Sequence, residues 1–62
     1  MTLKMKTKPS GTIFTIQNVE YIRRVDEKRN VRTMHFYEIK QFDAPFPIKH
    51  GVSCFDILEI TQ

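Results

Sequence analysis

β-Branched side chains dominate this chain. Seven Ile, four Val and six Thr stand against one Ala and two Leu. A side chain branched at Cβ loses rotamer freedom against the preceding turn of a helix, and it packs readily on a pleated surface. The five Phe and two Tyr add to the bias, because aromatic rings suit a half-buried sheet. Good helix formers are present only as scattered Lys, Glu and Gln. The expectation is an all-β domain.

At 62 residues the chain makes one domain over 1–62, near the lower limit for a self-sufficient core. A domain of this size buries roughly 60% of its unfolded surface. Ordering entropy then nearly cancels burial, so a partner or self-association adds useful stability. The single cysteine, Cys54, has no partner for an internal disulfide; a secreted domain this small usually carries several, so a reducing, cytoplasmic setting is expected. The opening Met-Thr-Leu-Lys-Met-Lys has no apolar run behind its lysines, and no stretch approaches the ~20 apolar residues of a membrane span. No membrane association is expected.

Leu3 to Lys8 alternates apolar or neutral residues with lysine. This pattern places Lys4, Lys6 and Lys8 on one face of a strand, or else residues 1–8 form a disordered basic arm. Pro9-Ser10-Gly11 is a turn signal. From Thr12 to Val25 the chain is β-prone throughout, but its apolar parity switches: Phe14 and Ile16 are even, Val19, Tyr21 and Val25 odd. A bulge or tight turn near Gln17-Asn18 reconciles the two halves. Phe42-Asp-Ala-Pro-Phe-Pro47 reads as a loop, because proline removes ladder donors and restricts its predecessor. His50-Gly51 reads as a turn. Val52 to Ile60 reads as a last strand, with a short helix capped by Ser53 and Asp56 as the alternative. About five short strands, one strongly bent, suggest a small SH3-like barrel or a strongly bent antiparallel sheet, an analogy that licenses no function.

Charge is polarised along the chain. Lys4, Lys6 and Lys8 carry one excess, and Arg23, Arg24, Lys28, Arg29 and Arg32 outweigh Asp26 and Glu27 in another. If Asp26 to Asn30 form a five-residue loop, Val25 faces Val31, Arg23 faces Thr33, Tyr21 faces His35, Val19 faces Tyr37 and Ile22 faces Met34. Arg24 then opposes Arg32, an unfavourable pair that an anionic guest would relieve. A four-residue loop avoids that pair, and Asn30 tolerates the left-handed conformation needed to close either.

Three functional readings follow. The hairpin cations Arg23, Arg24, Lys28, Arg29 and Arg32, with Tyr21 and Tyr37 as stacking rings, suit the phosphates and bases of a nucleic acid. The plain alternative is a solvated turn whose charges guard a sheet edge. An interaction module or inhibitor uses exposed edges and an anchor at Phe42, Phe46 and Pro47 toward a protein partner or a second copy; the plain alternative has the two Phe closing the end of a barrel. Catalysis or metal binding through His50, Cys54 and His35 is the weakest, because one Cys and two His fall short of a zinc ligand set. The expectation is therefore a non-catalytic protein-binding module with no cofactor or metal. Nucleic acid binding through residues 23–32 stands as the alternative.

Overall fold

Leu3 and Met5, on alternate positions of the first strand, are completely buried, and this places the N-terminal segment at the centre of the molecule. The computed structural model describes all 62 residues. Its strands are β1 (Thr2–Thr7), β2 (Ile13–Ile16), β3 (Val19–Arg29), β4 (Arg32–Gln41), β5 (Ile48–Gly51) and β6 (Phe55–Thr61), with one 3₁₀ turn at Val52–Cys54. They form two three-stranded antiparallel sheets, ordered β2-β1-β6 and β3-β4-β5. The all-β expectation holds. The strands number six rather than five, and the sheets do not close into a barrel.

Residues 1–8 are thus no disordered arm. Alternation along β1 turns Leu3 and Met5 inward and Lys4 outward, as the pleat requires. Their partners across the core are Val19 of β3 and Ile39 of β4, with Met1, Phe14, Ile16, Ile22, Tyr37, Phe55 and Ile57 packed around them. Phe14 and Phe55 meet edge to face at 5.8 Å, a favoured geometry for aromatic pairs.

The switch of sheets falls where the parity changes. Asn18 adopts φ 56°, a left-handed conformation that Asn tolerates, and β2 and β3 on either side of it lie in different sheets. Reciprocal hydrogen bonds of 2.8 Å between Met1 and Val19 tie the sheets together there. Two bulges then adjust the apolar phase. In β3 the register shifts between Val19 and Tyr21, so Val19 and Ile22 both face the core while Tyr21 and Val25 turn outward. In β6 the shift at Leu58 sets Ile60 beside Leu3 and Ile57 beside Met5, bringing opposite sequence parities to one face. His50 and Gly51 belong to β5 rather than to a turn, and the 3₁₀ turn after them carries no side-chain cap.

The result is thin. Only five residues are buried, and the accessible surface is 4567 Å², above the ~4,200 Å² expected for a chain of this mass. The radius of gyration is 12.3 Å, against about 10.6 Å for a compact domain of this length. Because so few side chains form the core, Leu3→Ala should cost about 3 kcal/mol, whereas Lys4→Ala on the opposite face should stay within about 0.5 kcal/mol. Urea denaturation of the two variants checks this, and equal midpoints would remove β1 from the core.

Candidate binding surfaces

The hairpin tip has only two residues. Arg29 pairs with Arg32 around Asn30-Val31, and Asn30 takes φ 54°. Within the expected loop over Asp26–Asn30, Asp26 to Arg29 are instead strand, and only Asn30, with its positive φ, belongs to the turn. All the expected pairings shift. Val25 faces Phe36, Arg23 faces Glu38, Ile22 faces Ile39, Arg24 faces Tyr37, and Asp26 faces His35. Arg24 does not oppose Arg32; the like-charged pair at the hairpin end is Arg29 with Arg32.

This register divides the five cations between two faces of the sheet. Arg23, Arg29 and Arg32 share the outer face with Tyr21, and Arg24 and Lys28 share the other with Tyr37. On the outer face Glu38 is the organising group, only 7% exposed although it is charged. One of its oxygens accepts from Arg23 Nε at 2.7 Å and from Tyr21 Oη at 3.0 Å, and the Arg23 guanidinium lies 5.9 Å from the centre of the Tyr21 ring. Further along, Glu27 receives Arg29 at 3.0 Å on one oxygen and Lys49 of β5 on the other. Lys49 also lies 5.8 Å from the Phe36 ring. On the opposite face Arg24 lies 3.5 Å from Asp26, whose carboxylate holds His35 Nδ1 at 2.6 Å.

These contacts set the titration of the acids. The Arg23 hydrogen bond holds the Glu38 carboxyl below the usual carboxylate range, outweighing burial, with Tyr21 assisting. Lys49, then Arg29, do the same for Glu27, and the His35 hydrogen bond does so for Asp26. Burial raises the Tyr21 phenol, and its bond to Glu38 adds to the rise. Three of the five hairpin cations are therefore already engaged by carboxylates of the same chain. Lys28 and Arg32 are not.

The second predicted surface is the β4–β5 connection. Phe42 and Phe46 are 68% and 74% exposed, and Ile48 at the start of β5 is 56% exposed; Pro47 between them is exposed as well. The two Phe do not close the end of the domain. The loop backbone is nonetheless tied down, since Phe42 N–H donates to Asn18 O at 2.9 Å and Ala44 N–H to Gln41 O at 3.2 Å. Ile48 pairs with Ile39 and lines an open cleft of about 450 Å³ with Ile16, Gln41 and His50.

Sequence reasoning did not anticipate Glu38 as the hub of the outer face or Ile48 as part of the exposed apolar stretch. The dense spacing of Phe42, Phe46 and Ile48 was the available signal for the second. The three candidate chemical groups do not share one site: His50 lines the cleft between the sheets, whereas His35 and Cys54 line a separate notch. No cluster of three or more His, Cys, Asp or Glu side chains could hold a metal ion. No helix is long and apolar enough to cross a membrane. Comparison of the chain with protein-family models, curated proteins and solved structures found no match.

Because folding lowers the affinity of Glu38, Glu27 and Asp26 for protons, the unfolded chain binds more protons in acid, and stability must fall as pH falls through the folded values. The contribution is fully present above the unfolded carboxylate range near pH 4 to 4.5. Burial also lowers the His50 pKa from its ordinary value, so a weaker decline of the same sign begins as pH drops below about 6.5. Melting temperatures between pH 7 and pH 3 should fall accordingly, with a shallower acid slope in Glu38→Gln. An unchanged slope in that variant would mean that Arg23 and Tyr21 do not hold Glu38 ionised.

Proposed function

We propose that this chain is a non-catalytic binding module that acts through a protein partner, another protein or a second copy of itself, with the anchor at Phe42, Phe46 and Pro47. The observation that carries the reading is the exposure of Phe42, Phe46 and Ile48 within one short stretch whose backbone is hydrogen-bonded at Phe42 and Ala44 and strand-paired at Ile48. Aromatic side chains held at fixed positions are the usual centres of interface energy, because they bury large areas at small entropic cost. The thin core supports it as well: a flat molecule of 37 × 28 × 16 Å gains more from covering one face than a compact one does. The reading includes a reducing, cytoplasmic setting, consistent with the single, free Cys54.

Nucleic acid binding by the hairpin has less support. Arg23, Arg24 and Arg29 each have a carboxylate within ion-pair distance, and the five cations do not share one face. What favours it is the unpaired pair of Lys28 and Arg32.

A photo-crosslinking residue at position 42 or 46 should yield a discrete protein adduct or a covalent dimer, and one at Lys4, exposed on β1 and outside both pockets, should not. Phe46→Ala should weaken the same association by about tenfold, the size of a hot-spot truncation, with little change in melting temperature because the ring is exposed. Sedimentation over a concentration series separates the dimer from a foreign partner. Absence of any adduct at either Phe, together with salt-sensitive retention on single-stranded DNA, would transfer the function to the hairpin.

A further inference from the structure

β4 outruns β5. Their register ends at the Phe36–Gly51 pair, and the chain then leaves through the 3₁₀ turn Val52–Cys54 toward β6. Arg32 to His35 therefore have a strand on the β3 side only, where Arg29 faces Arg32 and Lys28 faces Thr33. In a hairpin closed by two residues the flanking pair exchanges both backbone hydrogen bonds, and the direction alternates along the strand. Arg32 and Met34 thus direct their backbone groups to β3. Thr33 directs its N–H and C=O the other way, into the space where β5 has ended.

That space is a notch of about 580 Å³. The β4 edge from Arg32 to Phe36 forms one side and Gly51 to Cys54 the other, with Lys8 also on the rim. Met34, Phe36 and Val52 supply apolar surface, and no carboxylate is among the lining residues. The charge around it is distinctive. Six of the ten Lys and Arg side chains have a carboxylate partner, namely Lys8, Arg23, Arg24, Arg29, Lys40 and Lys49. Of the four without one, Arg32 lines the notch and Lys28 stands opposite Thr33. Arg32 also faces Arg29, and like charges directly opposed on a sheet are unfavourable until an anion intervenes.

We propose that this notch accepts an extended acidic peptide segment as an added strand, antiparallel to β4 and in line with β5, hydrogen-bonded to the backbone of Thr33. Strand addition of this kind takes affinity from main-chain bonds and specificity from alternate side chains. The guest residue opposite Met34 and the one opposite Arg32 lie on the same face, so the preferred pattern is an apolar residue followed two positions later by an acidic one. The residue between them lies on the face of Lys28. The outer edge of β3 is no rival, because it is bordered by charges of both signs, which guard an edge against pairing. Tyr21 and Tyr37 lie outside the notch, and the rings on its lining are Phe36 and His35, so stacking of a nucleic acid base is one of the outcomes that the test below distinguishes. The site goes beyond the loop-centred reading: it shares no residue with the Phe42–Pro47 loop and lies at the opposite end of β4.

The probe is the acetylated, amidated hexapeptide Thr-Leu-Thr-Glu-Glu-Thr, titrated into the isotope-labelled full chain and followed by amide NMR shifts. Shifts should concentrate at Arg32–Phe36 and Gly51–Cys54. A peptide with both Glu replaced by Lys, and one N-methylated at its central Thr, should each bind about tenfold more weakly or worse, as should Arg32→Ala with the parent peptide. Phe46→Ala should leave this binding unchanged, which separates the notch from the loop. Arg32 is exposed, so its variants should keep a folded spectrum, and Arg32→Glu provides a second test with a larger expected loss. Equal binding of the N-methylated peptide would overturn strand addition. Shifts centred on Phe42–Ile48 would overturn the location, and tighter, salt-sensitive binding of an oligothymidylate at Arg32 would overturn the class of partner.

Discussion

Leu3 and Met5 are the contact on which the rest of this molecule depends. They lie on β1, the middle strand of one sheet, and reach across to Val19 and Ile39 of the other. These four are the whole buried hydrophobic core. In so thin a domain no other layer can compensate for them, so the bend at Asn18 and the bulges in β3 and β6 all serve to keep apolar side chains on that one interface. Each device shifts the phase of a strand by one residue, and on a sheet one residue decides between core and solvent.

The outer face of the β3-β4-β5 sheet follows a different logic. Its cations read as an excess along the chain, but the register places carboxylates among them. Glu38 sits across from Arg23, and Glu27 is held between Arg29 and Lys49. A nearly buried carboxylate needs partners to remain ionised, so Arg23 and Tyr21 are best understood as supports of Glu38. Much of what resembles an anion-binding surface is an internally neutralised sheet face, and only Lys28 and Arg32 near the tip retain uncompensated charge.

Two features remain unabsorbed by the fold: apolar side chains on the β4–β5 loop, and the end of β4 that β5 leaves uncovered. We propose contact roles for both, and they lie at opposite ends of one strand. A small β domain with too little core can use its unpaired edges and exposed rings as contact surface, because any partner that covers them also supplies burial the monomer lacks. His50 and Cys54, the residue types that chemistry would need, open onto different pockets.

The excess of Ile, Val, Thr and aromatic residues settled the all-β class, and local chemistry located several breaks. The change of parity near Asn18, the Pro-Ser-Gly turn and the Phe42–Pro47 loop all follow from side-chain shape and backbone preference within a few residues. Hairpin register was not legible in the same way. An acidic and basic run from Asp26 to Asn30 resembles a loop, and nothing local reveals that Asn30 closes a two-residue turn and that Glu38 lies across from Arg23. The order of β1 was equally open, since alternation with lysine suits both a strand and a frayed arm until β2 and β6 flank it. The number of sheets, the division of the cations between two faces, and the notch left by a short β5 are products of pairing between distant segments. Composition and periodicity decide what a segment prefers, but which charges meet and which edges stay open depends on which strand lies beside it.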